Sequence, residues 1–208
     1  MTRANLQLTD YDAEGPLHVD DGLEKVAAPL TVLLTQELDG AAEALGLASN
    51  EILIAALGRA IQRTIGDGIV TLDVPGYGTS VHSMTLRCAA PAQIPAQEML
   101  GGVHDALEAL KVRRIVHEVP DDPRDQPVSE LLFADGDTAA ALPHLGHALE
   151  LRTYRVGDVI ALDWWFDARS FEPYTVEELA EQFPLALVEL TSEATPPIHA
   201  TPELALAH

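Results

Sequence analysis

A disulfide within the chain is excluded at the outset, because Cys88 is the only cysteine and a bridge needs two. A reducing, cytoplasmic setting is the expectation that follows. Cys88 also stands in an apolar alternation, Met84-Thr85-Leu86-Arg87-Cys88, which makes it a small packed hydrophobe rather than a nucleophile. Lysine is nearly as scarce, at Lys25 and Lys111 alone, and 12 Lys and Arg face 33 Asp and Glu for a formal net charge of -21. Nucleic-acid binding draws its affinity from cations on phosphates, so this surface repels that partner. Anionic membranes are disfavoured on the same ground. No apolar run nears the roughly 18 residues of a membrane-spanning helix, and the opening MTRANLQLTDYDAEG has no apolar stretch of the secretory kind. The acidity itself has two readings, solubility or a docking face for a basic partner.

What is present suits one domain. The 208 residues are 47% hydrophobic, enough for a core and too apolar for a disordered chain. Residues 1–28 are polar and acidic and read as a leading arm with little regular structure, 29–194 as the domain, and 195–208 as a Pro-containing tail. Leu30–Leu38 reads as a strand running into a short helix over Asp39–Leu45, which Gly46 ends. The clearest helix follows Ser49-Asn50-Glu51, with Ile52, Leu53, Ala56, Leu57, Ala60, Ile61 and Ile65 at helical spacing. Ile69–Val74 and Val81–Cys88 read as strands on either side of Pro75-Gly76-Tyr77-Gly78. A helix from about Pro95 to Val112, a loop over His117–Pro127 and a short strand at Val128–Phe133 come next. Leu149–Tyr154 and Val159–Phe166 form a hairpin around Val156-Gly157-Asp158. Thr175-Val176-Glu177-Glu178 opens a last helix, which Pro184 should kink. Hairpins without strict strand–helix alternation predict a mixed or largely antiparallel sheet, with the helices near 50–65, 96–111 and 174–191 mainly on one face.

Motifs that could carry chemistry are incomplete. Gly76-Tyr77-Gly78-Thr79-Ser80 is like part of a phosphate loop, but no Gly-Lys-Ser/Thr follows it. Ser80 lacks the Gly-x-Ser-x-Gly frame of a nucleophile elbow. His144 and His147 lie near Glu150, but zinc needs three or four ligands in fixed geometry, so they read as a solvated pair. His117-Glu118 with Asp121 and Asp122 reads as an acidic surface loop. No metal and no cofactor is expected. His82 has two readings, a neutral hydrogen-bonded core histidine or a side chain lining a cleft.

Several segments stand in a suggestive order over residues 30–192. SNEILIAALGRA opens a helix, VTLDVPGYGTS is a strand and turn, and SMTLRC is a second strand. QPVSELLFADGD follows, and then LELRTYRVGDVIALDWWFDARSFEPYTVEELAEQFPLALVEL, the best-matching stretch. In this order they resemble the C-terminal lobe of condensation domains from nonribosomal peptide synthetases, within the CoA-dependent acyltransferase superfamily. The family's Val-Glu-Gly-His-Gly-Arg turn falls on VTLDVPGYGTS, where Tyr77 stands for the family's His and Thr79 for its Arg. The Gly-Trp-Phe-Thr lead-in to the strand at SMTLRC is absent.

That resemblance implies an α/β lobe of the chloramphenicol-acetyltransferase-like fold, in which a reaction tunnel runs between two lobes. By position it makes Tyr77, Ser80, His82 and Ser83 the candidates for the tunnel side, with a structural turn and strand as the alternative. Trp164 and Trp165 are strand neighbours that point to opposite faces, one to the core and one to a contact. The family's catalytic His-His-x-x-x-Asp-Gly motif has no counterpart. The nearest string, Leu17-His18-Val19-Asp20-Asp21-Gly22, has one His, and its spacing to Asp21 is one residue short. No catalytic residue is therefore assigned. The leading expectation is a lobe acting in nonribosomal peptide or related acyl-chain assembly, working with an N-terminal lobe, a synthetase or a carrier protein, or as a non-catalytic recruitment module. Acyl transfer by the chain alone, through His18 or His82, is the second reading, and an unrelated α/β binding domain the third. A heterologous partner ranks above a homodimer, because two surfaces this acidic repel.

Overall fold

The computed structural model describes residues 5–12, 22–75, 81–116 (112–116 as backbone only) and 129–195. In chain order these form β1 (Leu23–Ala27), α1 (Val32–Leu45), α2 (Ser49–Thr64), β2 (Gly68–Pro75), β3 (Val81–Cys88), α3 (Ala96–Val116) and β4 (Leu131–Asp135). A single turn of 3-10 helix (Ala139–Ala141), then β5 (Leu149–Val156), β6 (Val159–Asp167) and α4 (Pro173–Glu193), complete them. The strands make one mixed sheet in the order β1-β6-β5-β4-β2-β3. β4 runs parallel to both β2 and β5, and every other pairing is antiparallel.

Strand alternation sorts the side chains. Leu72, Met84, Phe133, Leu151 and Trp164 are buried on the side where the helices pack. α2 is the centre of that layer: its residues Glu51–Ile61 are all buried, as suits a helix apolar on nearly every side. Gly58 lets it approach β3, since a Cβ there would sit 2.7 Å from the Arg87 carbonyl oxygen and 2.5 Å from Met99 Cε. Arg59, fully buried, donates to the carbonyls of Ala89 and Ile94 and pairs with Glu189 of α4 at 3.0 Å. Trp164 meets Phe183 of α4 edge to face, with ring centroids 5.6 Å apart. Cys88 is buried, and burial pushes its thiol up to about 12, so it is inert packing.

The mixed sheet with its helices on one side is the architecture expected, and α2, β2, β3 and the β5–β6 hairpin lie where their patterns put them. Several readings change. Leu30–Leu38 is not a strand: Thr31 accepts the Leu34 N–H, and Thr35, Leu38, Ala42 and Leu45 are buried at helical spacing. Gly46, at φ 67°, closes α1 as expected. The leading segment is not without structure, since Leu23–Ala27 pairs with β6 along the sheet edge. The acidic stretch from Asp20 to Glu24 reads as a polar arm, and an edge strand tolerates charge. β4 starts three residues later than read and α3 runs four residues further, to Val116. α4 begins at Pro173 rather than at Thr175, because Pro suits the first helical position, and it continues through Pro184 as one helix. The loop at His117–Pro127 lies outside the described residues, as does the tail from residue 196. Among the described residues no single helix is long and apolar enough to cross a membrane; α1 and α2 meet that test only together, across a 111° bend.

Candidate functional site

β2 and β3 are joined by residues 76–80, so the residues expected at a cleft divide. Tyr77 and Ser80 lie outside the described residues, as does His18. His82 and Ser83 are described, and alternation sends them to opposite faces. His82 pairs with Val74 across the β2–β3 ladder and is half-buried on the helix side. Ser83 is on the helix-free side, where its hydroxyl donates to Asp73 Oδ1 at 2.6 Å. The two cannot line one cleft together.

His82 faces a pocket of about 270 Å³ between the N-terminus of α2, the C-terminal half of α3 and the ends of β2 and β4. Ile54, Val74, Leu107, Leu110 and Phe133 give it apolar walls, and Asn50, Glu51, Lys111 and Asp135 add polar groups. Asp135 Oδ1 already accepts the Thr153 hydroxyl at 2.5 Å. An apolar cavity with a few convergent polar groups is the usual form of a small-molecule site. This one suits a short apolar group attached to a polar carbonyl or amine.

The opposite face carries a buried polar layer that sequence reading missed. Glu150 and Arg152 of β5 point there together, the carboxylate accepting from the guanidinium at 2.5 Å, and both are shielded from solvent. Arg152 also donates to the Leu142 carbonyl, and the Leu145 N–H donates to Glu150 at 3.2 Å. His147 is buried, not solvated as the spacing suggested, and its Nε2 donates to Asp73 Oδ2 at 3.0 Å. Burial pushes the Asp73 carboxyl up, but the bonds from His147, Ser83 and the Ser129 N–H outweigh it and hold the group below its usual range. His144 packs on the edge of Trp165, with centroids 4.7 Å apart. Burial lowers its pKa, and Arg152 adds to that while Glu150 opposes it. Its Nδ1 lies 3.1 Å from both Arg152 Nη2 and Glu150 Oε2. On the neutral ring Nδ1 accepts from the guanidinium, which can only donate.

Ser83, Asp73 and His147 have the membership of a catalytic triad in the wrong order. The carboxylate sits between the hydroxyl and the imidazole, so no base reaches the serine. The layer is architecture. Its signal was present in Leu149-Glu150-Leu151-Arg152, charges recurring every second residue of a strand, but the cover from 142–148 is not legible locally. Of the two tryptophans, Trp164 is core and Trp165 is half-exposed, with Lys25 Nζ 5.2 Å from its ring centroid. His117, Glu118, Asp121 and Asp122 lie outside the described residues.

No family model matches the chain. Over 93% of its own length it is 30% identical to one of the phenolphthiocerol/phthiocerol polyketide synthase proteins of Mycobacterium tuberculosis, and it spans 16% of that relative. Among solved structures, the epimerization domain from the third module of tyrocidine synthetase B superposes with a TM-score of 0.67 at 15% identity, covering 92% of this chain and 52% of that one. The condensation domain of the monacolin K polyketide synthase gives 0.62 at 12% identity, covering 95% and 54%.

Proposed function

From a chain folded as one lobe of a condensation-type domain, we propose that this protein is the C-terminal lobe of such a domain and acts in nonribosomal peptide or related acyl-chain assembly. The proportion of the match is the observation behind it. Over nine-tenths of the chain is matched, yet it fills only 52% of the epimerization domain and 54% of the condensation domain. A two-lobed enzyme needs the other half, and the 208 residues hold no His-His-x-x-x-Asp-Gly string. The base that prepares the acceptor amine therefore comes from a partner lobe. This lobe supplies a wall of the reaction path, with the His82 pocket holding the apolar part of a substrate and His82 meeting its polar end.

The test mixes the purified chain with an N-terminal condensation lobe that carries the His-His-x-x-x-Asp-Gly motif. Amide formation between a carrier-bound acyl donor and an amine is then measured. The chain alone makes no product, and the mixture does. His82→Ala lowers product formation by about tenfold, the worth of one hydrogen bond. Product from the chain alone overturns the reading in favour of a stand-alone acyltransferase.

A further inference from the structure

We propose that Glu51, His104 and Glu108 form a binding site for one divalent transition-metal ion of the zinc type, joining α2 to α3 at the rim of the His82 pocket. His104 and Glu108 are four residues apart on α3, which puts them on one face of the helix, one turn apart. Glu51 reaches them from the first turn of α2. Its Oε2 accepts the Ala48 N–H at 2.7 Å as a helix cap, and Oε1 lies 2.9 Å from His104 Nδ1. The capping bond fixes a carboxylate that is only 4% exposed, the kind of outer support that orients a metal ligand.

One donor atom from each of the three residues lies within 4.8 Å of the others. Bonds of about 2.0–2.1 Å around a tetrahedral zinc ion place donors roughly 3.3 Å apart, a contraction within reach of side-chain torsions. One imidazole with two carboxylates suits zinc, cobalt or manganese better than calcium, which takes oxygen, or copper(I), which takes sulfur. The charges also balance, since the two carboxylates neutralise a doubly charged ion. Lys111 pairs with Glu108 and competes with the ion for it. Three protein ligands leave a further position for water, and Glu51 is itself a wall of the pocket. Spacing along the chain hides this site, because 53 residues separate Glu51 from His104.

The experiment titrates the full chain with Co2+ near neutral pH, follows the visible absorption of the bound ion, and then competes it with Zn2+. One equivalent binds saturably, and one equivalent of Zn2+ displaces it. His104→Ala and Glu108→Gln each weaken binding by about tenfold to a hundredfold, the scale on which even supporting partners act. Glu98→Gln, an exposed carboxylate on the same helix, stays within about twofold. Zn2+ also raises the melting temperature of the wild type by more than that of His104→Ala at the same concentration. Circular dichroism establishes that each variant is folded, and Glu108→Gln, which loses only a surface pair, carries the test if His104→Ala does not fold. Absence of saturable uptake, or binding that His104→Ala and Glu108→Gln leave unchanged, or an equal loss with Glu98→Gln, overturns the proposal.

Discussion

On the helix side of the sheet, Leu72, Met84, Phe133, Leu151 and Trp164 meet an apolar layer, whereas the same strands turn Asp73, Ser83, Glu150, Arg152 and Trp165 to the other side. Both sides are dry at their centres, but they are dry for different reasons. The first excludes water by packing, and its energy scales with apolar area. The second excludes water under the 142–148 segment and must satisfy every charge it encloses. Burial alone therefore does not identify a core: a buried strand residue belongs to whichever layer its parity selects.

The largest test is a pair of truncations, one for each layer. Trp164→Ala should lower stability by about 3–5 kcal/mol through the cavity it leaves against Phe183, read in urea or thermal unfolding. Glu150→Ala should lose a similar amount, about 3–5 kcal/mol, because Arg152 is left charged and buried. The double change Glu150→Leu with Arg152→Met should recover most of the second loss, since the pair is then absent rather than broken. No such rescue exists for the packed side. A double variant as unstable as Glu150→Ala would erase the distinction between the layers.

A smaller effect probes how tightly the packed side is closed. Gly58→Ala places a methyl against the Arg87 carbonyl and Met99, and overpacking of that kind costs about 1–3 kcal/mol. A neutral result in equilibrium unfolding would mean that α2 stands off the sheet further than its contacts imply. Thr31→Ala removes the hydroxyl cap of α1 and should cost about 1 kcal/mol.

The finest test is pH, read at two groups of the polar side. Folding lowers the pKa of His144 from its ordinary 6.5, so below that value the unfolded chain binds the proton more readily. The stability from the neutral ring is present above 6.5 and is lost as pH falls through the folded value. Asp73, lowered from 3.8, acts in the same direction further down: its contribution is present above 3.8 and lost in stronger acid. Unfolding midpoints taken across this range should therefore fall in two steps, with His144→Asn removing the upper one and Asp73→Asn shrinking the lower, to which Asp167, also lowered from 3.8, contributes. A single step left intact by both variants would place the acid sensitivity elsewhere.

Much of this contrast is legible in the sequence, and the part that is not has a physical cause. The 3.6-residue spacing of α2 and the turn at Val156-Gly157-Asp158 are local signals, and they lead to the correct elements. Leu30-Thr31-Val32-Leu33-Leu34 fits a strand and a helix equally well over so short a run, and the Thr31 cap decides it. At the candidate site, a turn and a strand put His82 beside the pocket, but grouping Ser83 with it runs against strand parity. Glu150, Arg152 and His147 are missed because a separate segment covers them, and spacing along a strand says nothing of what lies above it. Glu51 and His104 meet only because α2 and α3 pack together.

The position of β1 bears on how the chain assembles. Lys25 and Asp163 are 138 residues apart, yet they are paired in the finished sheet. Among the described strands the earliest in sequence is thus the partner of the latest, and it has no ladder to join until β6 exists. Contacts this distant are closed late and slowly. Until then the charged residues of β1 keep it from pairing with a neighbouring chain, and its docking on β6 is the step that completes the sheet edge.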